Sequence, residues 1–428
     1  MARFRHVEVV EVRIWDAAVG AAAYDPVAGA FVFEYDPAWA RQGVELAPFM
    51  MPVGGAGSFV FPTLARETYM GLPGLLSDAL PDRFGNQLID AWMANKGYRP
   101  EQITALDRLA YMGKRGVGAL EFLPRRGNLR ASMAPIEMAR LVELARRVVT
   151  GTLSSDDTSA QALNRIIAVG TSAGGARAKA VLGWNPATDE LVSGQFDLPA
   201  GFEHWLLKFD GAGADPQLGP SQQYGRIEYA YSRMAGQAGV RMSPCRLLEE
   251  NGRAHFMTRR FDRRGNDKLH VQSLCALRHM DYNARQTHAY ESLFLAALDL
   301  GLGDAAMTEL FTRMAFNVAA RNQDDHSKNF AFLMARGGAW ELAPAYDVTF
   351  AFDPGNVWLA NHLMSVNGKF EAIGKADLMQ VAARFSIPGA RPAVERVNDA
   401  VADWPRHAKD AGVGVEEIAR IRTMHIGL

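Results

Sequence analysis

The densest chemistry in the sequence lies in Arg321-Asn-Gln-Asp-Asp-His-Ser-Lys-Asn-Phe330 and, shortly after it, in Leu342-Ala-Pro-Ala-Tyr-Asp347. Two carboxylates, an imidazole, an ammonium and an amide are crowded between the apolar runs Met314 to Ala320 and Phe330 to Met334, which solvated loops rarely show. Asp324 and Asn329 stand five residues apart. That is the spacing at which a protein-kinase catalytic loop places a base for the acceptor hydroxyl and an amide for Mg²⁺. Asp347 supplies the later carboxylate that such a site puts on the metal. Metal-dependent hydrolysis is the rival chemistry, because Asp, His and Asp can also ligate an ion.

Two earlier segments carry charge of the complementary sign. Gly170-Thr-Ser-Ala-Gly-Gly-Ala-Arg-Ala-Lys179 is a glycine-rich turn between strand-like stretches. Its backbone N–H groups could approach phosphate oxygens, with Arg177 or Lys179 to neutralise them. It is not a P-loop, since GxxxxGK[ST] is absent, and a tight hairpin using glycine for positive φ is the plainer alternative. Lys208 is the one charge inside the apolar strand pattern His204-Trp-Leu-Leu-Lys-Phe209, so it needs an anionic partner or must snorkel at an edge. Glu228, among Ile227, Tyr229 and Ala230 on the next predicted helix, is a possible partner, and strand lysine with helix glutamate is how a kinase fold positions nucleotide phosphates. Glycine loop, strand lysine, helix glutamate, Asp-x₄-Asn and Asp, in that order, are harder to obtain by accident than any one of them. The order points to a bilobal phosphotransferase.

The elements that must position these groups follow from periodicity. Val7 to Trp15 and Phe31 to Tyr35 alternate at near period two across a turn at Asp25-Pro26 and Gly29, which predicts a small antiparallel sheet. Asp82 to Met93 and Pro135 to the residue before Gly151 read as helices, and Thr152 to Ala160 as a polar linker or surface loop. Strands are predicted at Ala180 to Trp184, at His204 to Phe209 and in a pair joined at Asn251-Gly252, interrupted by a helix from about Gln223 to Ala238. From His288 onward the chain is mainly helical, as in Tyr290 to Leu300 and Ala306 to Arg321, with an extended interval around Phe330 to Phe350.

Composition bounds the rest. A chain of 428 residues with 48% hydrophobic and 22% charged types is globular and is expected to hold two or three packed units. Lys and Arg number 46 against 47 Asp and Glu, so no global field draws the chain onto nucleic acid or an anionic membrane. Cys245 and Cys275 are too few for a disulfide framework, and no apolar segment is long enough to span a bilayer, so a reducing cytoplasm is the expected location. His279 and His288 have no ligand partner at metal spacing and read as surface or capping residues. The short basic patch Arg125, Arg126 and Arg130 reads as a solvated loop.

These motifs together resemble the HipA-type serine/threonine kinases, the toxin component of bacterial toxin–antitoxin pairs, along nearly the whole chain. Leu-Ser-Asp-Ala-Leu-Pro-Asp-Arg-Phe-Gly within Gly71 to Asp90 resembles the end of that family's N-terminal subdomain, and Ser172-x-x-Gly175-Ala176-x-x-Lys179 its phosphate loop. Asp324-x-His326-x-Lys328-Asn329 resembles its catalytic loop, Pro344-x-Tyr346-Asp347 its metal-binding segment, and Met364 to Lys369 a further typical stretch. The resemblance implies an α+β, bilobal protein-kinase-like fold. An extra N-terminal β-rich subdomain would occupy 1–110, the rest of the N-lobe 111–275, and a mainly helical C-terminal lobe 276–428. It implies ATP and Mg²⁺ as cofactors, with Gly174, Gly175, Ala176, Arg177, Ala178 and Lys179 wrapping the phosphates and Lys208 contacting them. Asp324 becomes the base, and Asn329 and Asp347 the Mg²⁺ ligands. His326, Lys328 and Tyr346 would line the nucleotide site, and Arg259-Arg260-Phe261 would form the hinge against adenine. Ser172 would be an inhibitory autophosphorylation site. The implied partners are a protein substrate, by analogy an aminoacyl-tRNA synthetase, and a small helix-turn-helix antitoxin that alone contacts DNA. Two positions depart from the family pattern. Arg259 stands where an acidic residue is common, and Val271-Gln272-Ser273 stands where Gln-Glu-Asp is expected. A kinase-fold enzyme acting on a small molecule, or a regulatory subunit without turnover, are the alternatives. The second has no use for the base at Asp324.

Overall fold

The computed structural model describes residues 5–55, 57–94, 96–126, 136, 138, 141–142, 145, 177–210, 223–250 and 252–428. The helix expected over Pro135 to Gly151 falls largely outside these residues, and the linker at Thr152 to Ala160 wholly outside them. The first sheet is antiparallel, in the order β4-β3-β2-β1-β5, from β1 (Val9–Ile14), β2 (Ala17–Asp25), β3 (Ala30–Tyr35), β4 (Ser58–Val60) and β5 (Leu120–Leu123). In β1 the alternation does what it predicts: Val10, Val12 and Ile14 are buried and Glu11 and Arg13 face outward. The β2–β3 turn sits where Asp25-Pro26 and Gly29 put it, with Asp25 Oδ1 accepting from Val27 N at 2.8 Å and Gly29 at φ 63°.

The second sheet runs β7-β6-β8-β10-β9, again antiparallel, from β6 (Lys179–Asn185), β7 (Glu190–Ser193), β8 (Glu203–Lys208), β9 (Cys245–Glu250) and β10 (Arg253–Arg259). Its two faces are chemically different. Ala180, Leu182, Leu207 and Met257 pack into a core shared with the first sheet and with helix residues Leu88 and Leu109. Lys179, Val181, Leu206, Lys208, Phe256 and Thr258 line the opposite side, at the cleft.

The helices Tyr290–Asp299, Asp304–Ala319, Lys375–Arg384, Ala390–Ala402, Trp404–Asp410 and Val415–Met424 build the other lobe around a second core. The helix Tyr224–Gln237 joins that core through Ile227, Tyr231 and Met234 and also lies along β10. A small sheet, His270–Ser273 with Ala331–Met334 and Trp340–Leu342, runs beneath the cleft. The molecule is thus a bilobal, kinase-like α+β fold whose β-rich side carries an extra subdomain. No helix among the described residues is long and apolar enough to cross a membrane.

Hydrogen bonds join the extra subdomain to the rest. Ser273 donates to Asp78 through both its backbone N (2.6 Å) and its Oγ (2.8 Å), and Trp15 Nε1 donates to the Lys268 carbonyl at 2.8 Å. His279, expected at the surface or in a cap, caps the helix Leu274–Arg278 in the left-handed conformation and accepts from Gly74 N at 3.0 Å. Its ring meets Phe61 edge-on, and burial holds it down at about 4, so it packs as a neutral side chain.

Candidate active site

The cleft between the lobes encloses about 890 Å³, within the usual range for a ligand site. Strand geometry explains how its charges arise. In the β6–β8 ladder Lys179 stands directly opposite Lys208, an arrangement that destabilises a sheet unless anions face it. Both lysines are buried, at 2% and 7% exposure, which rules out the snorkelling alternative for Lys208. The Lys208 ammonium donates to Glu228 Oε1 and, at 2.5 Å, to Asp347 Oδ1. Glu228 reaches it because the helix Tyr224–Gln237 starts hard against β10. A Cβ on Gly225 would lie 2.1 Å from the Ala254 carbonyl oxygen, so only glycine fits there. Arg177 Nη1 lies 3.5 Å from the other Glu228 oxygen.

The electrostatics follow from this packing. Burial works against the Lys208 charge, but Asp347 and Glu228 override it and raise its pKa. Burial would raise the Asp347 carboxyl, but Lys208 and then Lys179 hold it well below the usual carboxylate range. Lys179 itself is lowered, first by burial, with Lys208 adding to the effect and Asp347 and Asp82 opposing it. Asp347 sits at φ 52°, a left-handed conformation that Asp tolerates better than most residues.

The segment Arg321 to Phe330 separates its two adjacent carboxylates. Asp324 is 48% exposed, faces the cleft, and lies 3.6 Å from His326 Nε2. Its backbone oxygen accepts from Asn329 Nδ2 at 2.7 Å, which fixes the amide on the wall of the cleft that Asp347 also lines. Asp325 points the other way, into the lobe, and accepts from Tyr290 Oη (2.8 Å) and Leu363 N (2.8 Å), with His362 Nδ1 at 2.7 Å. Asp325→Ala is therefore expected to strand three buried partners and lower stability by about 3 kcal/mol or more in urea unfolding. An unchanged midpoint would remove the structural role.

Asn329 and Asp347 both line the cleft and both carry hard oxygen donors. They fit an ion such as Mg²⁺, which takes few protein ligands and fills the rest with phosphate oxygens and water. A hydrolytic zinc centre uses three protein ligands. Among the described residues no three His, Cys, Asp or Glu side chains stand together as a metal cage.

The remaining positions fall into place unevenly. His326, Lys328, Tyr346, Arg259, Arg260 and Phe261 all line the cleft. Tyr346 donates to the Lys328 carbonyl at 2.6 Å, and its ring lies 5.6 Å from that of Phe261, tilted by 35°. Arg259 is half-exposed and 3.2 Å from Glu203, across the β8–β10 pair. The Arg260 guanidinium is turned onto Asp262 and the Gly116 carbonyl. It ties this stretch to the segment around Gly116, and of the two arginines it is the more deeply engaged within the protein. Ala178 is a buried core residue, so any phosphate contact from it would be through its backbone. Ser172, Gly174, Gly175 and Ala176 lie outside the described residues.

Three cleft residues escaped sequence reasoning. Asp262 accepts from Arg260, Arg263 and Gly118 N, and despite burial those arginines hold it well below the usual carboxylate range. Asp78 and Asp82 project into the cleft from the N-terminal subdomain. The Leu-Pro-Asp-Arg-Phe-Gly stretch marked the place without showing that it lines the same cleft as Asp324 and Asn329.

A family model for the HipA N-terminal domain matches residues 10–123, and one for the HipA-like C-terminal domain matches residues 171–405. Among solved structures, HipA of the Shewanella oneidensis MR-1 toxin–antitoxin system, seen in complex with HipB and its operator DNA, is similar at 18% identity and a TM-score of 0.67. That match covers 97% of this chain and 95% of that one. The Helicobacter pylori proinflammatory kinase CtkA is similar at 13% identity and a TM-score of 0.34, over 52% of this chain and 88% of that one. The comparison with curated proteins returned no match. With its two domains matched in order and its fold shared end to end with a HipA, the chain belongs to the HipA family.

Proposed function

We propose that this protein is an ATP- and Mg²⁺-dependent serine/threonine protein kinase. The observation that carries the reading is Lys208, buried between Glu228 and Asp347 in the same cleft as Asp324 and Asn329. Two lysines side by side on a buried sheet face suit a polyanion, and an exposed carboxylate beside a hard-donor pair suits hydroxyl activation next to a metal-bound phosphate. When bound, Mg²⁺ would neutralise charge on the transferring phosphoryl group and be held by Asn329 and Asp347. This chain's own work is positioning. Lys208 and Lys179 orient the phosphates, Tyr346 and Phe261 flank the adenine slot below the hinge at Arg259 and Arg260, and Asp324 takes the acceptor proton. His326 and Lys328 complete the phosphate side of the cleft, and Gly174 to Lys179 is the proposed phosphate loop.

Ser172, in that loop, is the proposed self-modification site. A phosphoserine there adds about −1.5 to −2 charge beside the nucleotide phosphates and empties the site. The reading extends to a cytoplasmic toxin held by a small helix-turn-helix antitoxin, as HipB accompanies the Shewanella relative, with DNA contacted through that partner. An aminoacyl-tRNA synthetase is the proposed class of target.

Incubation with γ-labelled ATP and Mg²⁺, with and without a cell lysate, tests both parts. Label is expected on a lysate protein and, in the purified chain, on the peptide that contains Ser172. Label confined to a small metabolite would make this a small-molecule kinase, and nucleotide binding without transfer would make it a regulatory subunit. Stoichiometrically phosphorylated protein that still binds ATP at full affinity would sink the Ser172 switch.

A further inference from the structure

The helix Asp304–Ala319 runs into the segment that carries Asp324, and its exit is held by residues distant in sequence. The last carbonyls of a helix have no partner within it. Here the Ala319 carbonyl accepts from Ile426 N at 2.9 Å, and the Ala320 carbonyl accepts from the Tyr231 hydroxyl at 2.7 Å. The hydroxyl has one proton and donates it there, so the His425 ring, with Nε2 2.9 Å away, is the donor to Tyr231. Burial holds that imidazole down at about 4, and it packs as a neutral ring.

The next residue is strained. Arg321 sits at φ 55°, in the left-handed region, at a place after a helix where glycine is the usual occupant. Its guanidinium reaches two fixed points. Nε donates to the Met424 carbonyl at 3.0 Å, and the group lies 4.4 Å from the centre of the Phe352 ring. The Arg321 carbonyl accepts from Ala351 N at 3.0 Å, and Gln323 N donates to the Ala351 carbonyl, also at 3.0 Å. Asn322 and Ala351 thus form a short parallel bridge, which ties the residue before Asp324 to the stretch that follows Asp347. Glycine would meet the backbone requirement without strain, but it would bring nothing to Met424 or Phe352. Strain of this kind persists where the surrounding structure holds it in place, and it gathers at functional sites.

Resting on the kinase reading, we infer that Arg321 is a positioning residue for phosphoryl transfer: its left-handed turn, pinned by Met424 and Phe352, sets the register of Asp324 against the Asp347 segment. Tyr231 holds the same turn from the other side through the Ala320 carbonyl. The bond formed and the bond broken are those of ordinary phosphoryl transfer. Arg321 exchanges no proton and touches no reacting atom.

Two variants loosen the turn differently. Arg321→Gly suits the left-handed backbone and removes the guanidinium, whereas Tyr231→Phe keeps the ring and removes the hydroxyl. Assayed well below their melting transitions, both are expected to keep KM for ATP within about threefold of wild type, while kcat falls about tenfold in the first and about threefold or more in the second. Residues that served only the fold would lower the melting temperature and leave kcat per folded molecule at the wild-type value. In the Asp324→Asn background either substitution is expected to change the single-turnover rate by less than about twofold, because no base is left to aim. Wild-type kcat in both single variants, or losses that multiply fully with that of Asp324→Asn, would overturn the role of Arg321. The kinase reading fails on a different result, which is absence of transfer by the wild-type protein.

Discussion

Asp324→Asn is expected to slow phosphoryl transfer by about 10²- to 10⁴-fold while ATP affinity stays within a few-fold of wild type. The geometry makes this a chemical change and little else. The Asp324 side chain is 48% exposed toward the cleft, and His326 Nε2 lies 3.6 Å from its carboxylate. What Asp324 contributes to local structure is its backbone oxygen, which accepts from Asn329 Nδ2, and asparagine keeps that bond. The isosteric amide still fills the space but cannot take a proton from an acceptor hydroxyl. Single-turnover transfer rates together with calorimetric titration of a nonhydrolysable ATP analogue separate the two quantities. A wild-type transfer rate in this variant would show that the base is not Asp324, and a matched loss of rate and affinity would place the residue on the nucleotide.

The next residue shows why spacing alone could not have assigned these roles. Asp324 and Asp325 are identical in type and adjacent in sequence, yet one faces the cleft and the other anchors Tyr290, His362 and the Leu363 backbone. Asp-x₄-Asn fixed the choice only because a known pattern was laid over it. Where local periodicity decides structure, the sequence was legible: β1, β3, β6, β8 and the helix Tyr224–Gln237 lie within a residue or two of where alternation or helical repeat puts them. Strand β2 is different, since its alanines carry no strand preference and are held extended by pairing with β1 on one side and β3 on the other. The lysine–glutamate contact was legible from residue types. The third member was not, because Asp347 lies 139 residues from Lys208 and arrives only through the packing of the two lobes. Asp82 and Asp262 were hidden for the same reason, for each belongs by sequence to one unit and by space to the boundary with another.

That third member raises the expected effect of changing the lysine. Lys208→Met removes the single cation that donates to both Glu228 and Asp347, and with it the largest counterweight to burial at the Asp347 carboxyl. Breaking a buried pair by deleting one partner costs about 3–5 kcal/mol, because the remaining charge stays desolvated. Here two carboxylates are left, and among the described residues Arg177, at 3.5 Å from Glu228, and Lys179, across the strand pair, are cations that stay near them. The variant is therefore expected to unfold at clearly lower urea concentration and to bind ATP at least about tenfold more weakly, with transfer close to abolished. Stability and ligand binding can be told apart with a second substitution. Adding Glu228→Gln relieves one stranded charge, so the double variant should regain part of the lost stability. It should regain none of the nucleotide affinity, since no cation has returned to the phosphates. Recovery of both together would mean that Lys208 serves only the fold, and unchanged affinity in the single variant would remove it from the phosphate site altogether.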